Sequence, residues 1–271
     1  MEDHMHLVVC AKQIPDPETP PSAFKIDPAK NEVIPAPGIA LVLSQFDGIA
    51  AEAALRIKEA AGDTKITVIS MGAESAQQAI KQVLAMGADE GVLLQDPAFD
   101  KGDPHTTAKV LTAAIKKLGD VDAVFCGRQA ADWDWGVAGI LIAEGLGWPV
   151  SIIAKGVTLE DGKVRVQRVI EDGYETVDLP LPAVVTVSNE FGEPRYPKLQ
   201  QIMQAARKTV TTWKAADLGL DPGEVGAAGA RLKLERLYVP EKEGKAEIMQ
   251  GDTPAEQAQQ LVAKLQAAKI L

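Results

Sequence analysis

Apolar residues arrive in short runs separated by longer stretches with helical spacing, and this alternation organises the first two-thirds of the chain. Leu7–Ala11, Ile66–Met71, Gly91–Gln95, Ala123–Gly127 and Ala183–Val187 are short and apolar almost throughout, the mark of strands covered on both faces. Between them, Asp47–Ala61, Glu74–Met86, Pro104–Leu118 and Asp134–Leu146 repeat apolar positions three and four apart, which predicts amphipathic helices. Asp47 and Asp134 are candidate N-caps, and Gly62, Gly87 and Gly119 candidate stops. Such alternation predicts an α/β fold, a doubly wound and mostly parallel sheet of Rossmann-like type with right-handed crossovers.

Two stretches break the rhythm. Phe24–Ile34 reads as an extended hairpin, and Val164–Leu179 alternates on both sides of Asp172-Gly173, a hairpin turn signal. Past Trp213 the texture changes. Gly219–Gly229 reads as a linker, Leu232–Val239 as a short extended piece, and Thr253–Ala268 as a helix opened by the capping-box spacing of Thr253 and Glu256. The expected division is therefore an α/β domain over residues 1–218 and a linker plus C-terminal arm over 219–271. An arm with so little core of its own is expected to pack on another chain.

Composition narrows the classes. Of 271 residues, 46% are apolar and 24% charged, as in an ordinary globular protein, and the net charge of −10 lacks the basic footprint of a nucleic-acid binder. The acidic MEDHMH terminus lacks the basic start of a signal peptide, and no run reaches the length of a membrane span. A cytoplasmic protein that is not membrane-inserted is expected. Cys10 and Cys126 close apolar runs and read as buried, reduced thiols.

Catalytic signatures are missing. His4 and His6 lie in a terminus expected to fray, and His105 opens a helix; none has metal-ligand company. There is no Gly-x-Ser-x-Gly elbow, no phosphate-binding Gly-x-x-x-x-Gly-Lys loop, and no Rossmann fingerprint. What remains is a set of strand-to-helix turns, where helix N-termini aim N–H groups at anions. The turn after Ala123–Gly127 runs Arg128, Gln129, Ala130, then Asp132, Trp133, Asp134, Trp135, Gly136, Val137 and Ala138. Gly127, Gly136 and Gly139 are expected to permit close backbone approach of a ligand, and Arg128 to meet a phosphate. Ala11, Ser70, Met71 and Gly72 end two other strands and are expected to line the same crevice.

At these residues the sequence resembles a known family. VVCAKQIPDPE and SQFDGIAAEAALRIKEA are similar to the opening of electron transfer flavoprotein β subunits (the EtfB/FixA family). ITVISMGAESAQQAIKQVLAMGADEGVLL, GRQAADWDWGVAGILIAEGLGWP and QRVIEDGYETVDLPLPAVVTVSNEFGEPRYPKLQQIMQAARK follow in the family's order. The resemblance implies an adenine nucleotide alpha hydrolase-like fold and a non-catalytic subunit of a heterodimer, whose α subunit holds most of a redox-active FAD. Phe46 would lie beside the flavin ring, and its other reading is packing at the start of its helix. A second nucleotide, AMP or a second FAD, would use Ala11, Ser44, Ser70, Met71 and the turn Gly127–Ala138. This chain departs there: Ser44-Gln45 stands for Asn-Pro, Val137 for a phosphate-gripping Gln, and Trp133 and Trp135 are additions. Glu193, Pro194, Arg195, Tyr196 and Leu199 match the family's partner-docking loop, with Leu199 as apolar anchor; its other reading is a buried position on the helix face of Ile202 and Met203. Acyl-CoA-type dehydrogenases and a quinone oxidoreductase are the implied partners, and electron bifurcation with NADH is a narrower form. A stand-alone adenine-nucleotide sensor is the alternative.

Overall fold

The computed structural model describes residues 4–34, 38–160, 162–240, 244 and 246–271. In chain order the strands are β1 (Met5–Cys10), β2 (Gln13–Pro15), β3 (Lys25–Asp27), β4 (Glu32–Ile34), β5 (Leu41–Leu43), β6 (Thr64–Met71), β7 (Glu90–Leu94), β8 (Ala123–Gly127), β9 (Val150–Glu160), β10 (Lys163–Ile170), β11 (Gly173–Pro180), β12 (Ala183–Val187) and β13 (Val210–Trp213). The α-helices are α1 (Gln45–Ala61), α2 (Gln77–Met86), α3 (Pro104–Leu118), α4 (Ala138–Leu146), α5 (Leu199–Arg207), the single turn α6 (Gly226–Gly229) and α7 (Pro254–Ala267).

Nine strands form one sheet in the order β11-β10-β9-β12-β8-β1-β6-β7-β13. From β9 to β13 every pairing is parallel; only β10 and β11 add antiparallel pairs at one edge. The expected mostly parallel α/β sheet is therefore what the chain builds. The pleat sorts successive residues onto two cores. Leu7, Val9, Ala123, Phe125, Ala183 and Val185 meet α1 and α2 on one face. Val8, Cys10, Val124, Cys126 and Val184 meet α3 and α4 on the other. Both cysteines are buried and free.

Gly62, Gly87 and Gly119 end α1, α2 and α3 with φ of 88°, 134° and 73°, conformations that side chains resist. Two helix starts differ from expectation. Ser44 is the N-cap of α1 and Asp47 lies inside its first turn. α4 begins at Ala138, because Asp134 and Gly136 have φ of 52° and 64° and a right-handed helix cannot include them. His6, expected in a fraying end, is buried in β1, where its backbone N–H donates to Asp122 and its ring meets the Thr67 hydroxyl at 2.8 Å. Val150–Glu160 and Val210–Trp213 are strands that apolar runs did not announce. β9 is only half-buried and β13 holds the sheet edge, so polar residues interrupt both.

The described residues fall into two compact units, one within Met1–Lys25 and Val33–Glu235, the other within Ile26–Glu32 and Arg236–Leu271. In the first, Val225 is fully buried within the Gly- and Ala-rich stretch. Asp103 takes the amides of Arg231 and Leu232 at 2.7 and 3.0 Å. In the second, the Thr253 hydroxyl accepts from the Glu256 amide and caps α7, which has no buried residue. Leu232–Val239, read as extended, joins no sheet.

Candidate functional site

β1 leads through α1 to β6 on one side, whereas β7 leads through α3 to β8 on the other. The strand order therefore reverses between β1 and β8, the switch point beyond whose carboxyl ends open α/β sheets place their ligands. Asp47 straddles it. One carboxylate oxygen accepts the Lys12 amide at 2.8 Å and the other the Gly127 amide at 3.0 Å. Burial pushes this carboxyl up to about 7, with the two backbone N–H groups pulling the other way. The Ser44 amide donates to Lys12 O at 2.9 Å, so the start of α1 is tied to the end of β1 twice.

Several predicted site residues lie at the ends of β1, β6 and β8, three strands that neighbour one another in the sheet. Ala11 is hydrogen-bonded to Ile69 O at 2.8 Å, and Gly72 to Leu94 O at 3.1 Å. Phe46 is buried, and the Arg128 guanidinium lies 5.8 Å from its ring centre. Arg128 Nη1 reaches the Ser188 hydroxyl at 3.3 Å, while its buried Nε has no hydrogen-bond partner. The Ser70 hydroxyl is likewise buried without one, and Met71 beside it is half-buried.

The turn from Gln129 to Val137 is held by bonds of its own and by one ion pair to the end of β1. Asp132 pairs with Lys12 Nζ at 2.6 Å, and Gln129 donates to Asp134 at 2.9 Å. The amides of Trp133 and Asp134 both return to Ala130 O. Trp133 and Trp135 stand 48% and 52% exposed, an unusual state for indoles that a core would otherwise claim. Val137 and Ala138 open α4, whose amino end has no side-chain cap, so its first N–H groups have neither intrahelical nor capping partners. Gly127 and Gly139 also sit tightly against their own neighbours. A Cβ on Gly127 would stand 2.5 Å from Asp47 Oδ1 and 2.7 Å from Phe46 Cβ, and one on Gly139 2.5 Å from Thr186 Cγ2. Both small residues serve helix–strand packing.

The loop after β12 lies along α1 instead of in the crevice. Arg195 turns inward: its Nε donates to Glu52 at 2.7 Å and Nη2 to the same carboxylate at 3.1 Å. Glu193 is exposed and Pro194 half-buried. Tyr196 is 93% and Leu199 73% exposed, so Leu199 opens α5 facing solvent and the buried reading of it does not hold.

Lys12, Ser188 and Glu52 belong to these clusters and escaped the sequence reading, and Asp47 entered it only as a cap. A carboxylate in the first helical turn is common for dipole reasons. Only the burial of Asp47 betrays a second task. Among the described residues no group of three or more His, Cys, Asp or Glu could hold a metal ion, and no helix is long and apolar enough to cross a membrane.

Sheet order and the helices on both faces define a doubly wound, mostly parallel α/β protein. The electron transfer flavoprotein domain matches residues 37–218. The chain is 38% identical to the caffeyl-CoA reductase-Etf complex subunit CarD of Acetobacterium woodii, covering 98% of this chain and 100% of that one. It is 35% identical to the electron transfer flavoprotein subunit beta of Megasphaera elsdenii, with the same coverage. Identity to the subunit of that name from Thermoanaerobacterium thermosaccharolyticum is 38%, over 98% and 100%. The chain belongs to the electron transfer flavoprotein family, as a member of its β-subunit branch.

Proposed function

We propose that this chain is the β subunit of a heterodimeric electron transfer flavoprotein. It docks flavin-dependent dehydrogenases, acyl-CoA dehydrogenases among them, while FAD held mainly by the α subunit passes their electrons to a quinone oxidoreductase or another acceptor. The observation that carries the reading is full-length similarity to β subunits combined with an apolar anchor, Leu199, held in solvent on a braced loop. The chain's part is positioning, since the redox chemistry belongs to the flavin.

The crevice also fits an adenine nucleotide, as AMP or the AMP half of a second FAD. The buried Ser70 hydroxyl and Arg128 Nε lack partners, and the start of α4 is uncapped. All three offer donors to a phosphate. The exposed indoles of Trp133 and Trp135 offer faces on which a planar ring would stack. The arm that joins the α subunit begins after Glu235, later than the expected start at 219, since residues 219–235 pack within the first unit.

Co-purification of the two subunits, followed by denaturation and counting of released FAD and AMP, tests the assembly. A chain that binds no flavin-bearing partner ends the proposal. For docking, Leu199→Ala is expected to weaken electron uptake from an acyl-CoA dehydrogenase by about tenfold or more, since a buried aliphatic anchor contributes roughly 1.5–3 kcal/mol. Flavin content should stay intact, and its parallel loss would make Leu199 structural.

A further inference from the structure

We propose that Arg195 is a positioning residue, pinning the docking loop to α1 so that one helix sets where Tyr196 and Leu199 stand relative to the crevice. This rests on the docking reading above and adds to it what holds the surface in place.

Arg195 meets Glu52 three times, through its backbone N–H at 3.2 Å, Nε at 2.7 Å and Nη2 at 3.1 Å. Its two terminal nitrogens also reach Glu59, two turns further along α1. Glu52 is only 4% exposed and takes a further bond from Arg56 Nε at 2.9 Å. Arg56 in turn lies 4.6 Å from the ring centre of Phe191, at the loop's entry. Burial raises the Glu52 pKa, but the two guanidinium groups outweigh it and hold the carboxyl below its ordinary value.

Two consequences follow from this fork. First, its positive charge is already matched by Glu52 and Glu59, so a partner carboxylate would have to displace bonds that exist. A free docking charge would face outward, as Tyr196 does. Secondly, among the described residues Arg195 makes the hydrogen bonds that join residues 193–197 to the rest of the fold. Pro194 and Pro197 stiffen the loop but cannot anchor it. Pro194 packs beside Gly48, one turn before Glu52 on α1. The same helix carries Phe46 and Asp47 into the crevice at its amino end. α1 is thus a rigid spacer between crevice and loop, and Arg195 fastens the loop to it. Lysine cannot replace the fork, because it lacks the planar arrangement that spans two carboxylates.

The test uses the heterodimer with an acyl-CoA dehydrogenase and its acyl-CoA as electron donor, alongside hydrogen exchange of the amides of Glu193, Arg195, Tyr196, Lys198 and Leu199. Arg195→Gln and Glu52→Gln are both expected to speed exchange about tenfold, as an unpinned loop opens locally. Both should raise the KM for the dehydrogenase by about tenfold through the added ordering cost, while flavin content and reduction by dithionite stay unchanged. Arg195→Lys should behave like Arg195→Gln. Wild-type exchange in both Gln variants overturns the proposal. So does a KM raised by Arg195→Gln but not by Glu52→Gln, which would make Arg195 a direct docking charge. Should Glu52→Gln fail to fold, Glu59→Gln at the exposed end of the fork carries the same comparison with a smaller effect. Leu199→Ala separates the two levels: if it leaves KM unchanged the docking reading fails, whereas exchange still reports on the pin.

Discussion

Asp47→Asn tests the crevice by an effect that runs against ordinary acid denaturation. An acid whose folded pKa lies above its unfolded value holds its proton more tightly when folded. With a folded value of about 7 against 3.8, Asp47 adds stability at low pH, and that addition is lost as pH rises through 7. Between pH 8 and pH 6 the gain is about 1.4 kcal/mol, one pKa unit's worth. Asparagine carries no proton to titrate, so the variant lacks this gain. At pH 8 it gives up one acceptor for the Lys12 and Gly127 amides, at a cost of roughly 1–3 kcal/mol, partly offset by removing a buried charge. The penalty of the substitution should therefore grow by about 1.4 kcal/mol on going from pH 8 to pH 6. His6, whose pKa burial lowers, works in the opposite sense over the same range. Because both proteins carry it, the comparison cancels it. Urea unfolding of wild type and variant at the two pH values, at constant ionic strength, reads the difference. A penalty that is flat, or larger at pH 8, would mean that the two N–H donors outweigh burial and that Asp47 is ionised throughout.

The other expectations concern the same crevice. Gly127→Ala should destabilise by about 1–3 kcal/mol in urea unfolding, because its Cβ would strike Asp47 and Phe46; a neutral result would show that α1 can retreat from β8. Val137→Gln should tighten AMP retention by the heterodimer about tenfold or more in equilibrium dialysis, through one added phosphate contact. Unchanged retention would count against phosphate binding at the start of α4. Anaerobic titration with NADH should leave the flavin oxidised unless a second flavin occupies the crevice, and reduction would establish the bifurcating form.

The order of strands and helices was legible because each element announces itself locally. Apolar runs of five or six residues mark β1, β8 and β12, and glycines placed to adopt positive φ end α1, α2 and α3. The 127–138 turn stood out as a strand-to-helix turn, and the family resemblance singled out Leu199. Tertiary structure alone decided which residues share work. Asp47 and Gly127 are 80 positions apart, and Arg195 and Glu52 are 143 apart. No local pattern reports such pairs, because they depend on the order in which parallel strands assemble and on the face each helix covers. A periodic pattern records which side of an element is buried, not what it is buried against. That is why Asp47 read only as a cap, and why the ties of Arg195 to Glu52 and of Gly127 to Asp47 went unseen until the sheet brought these neighbours together.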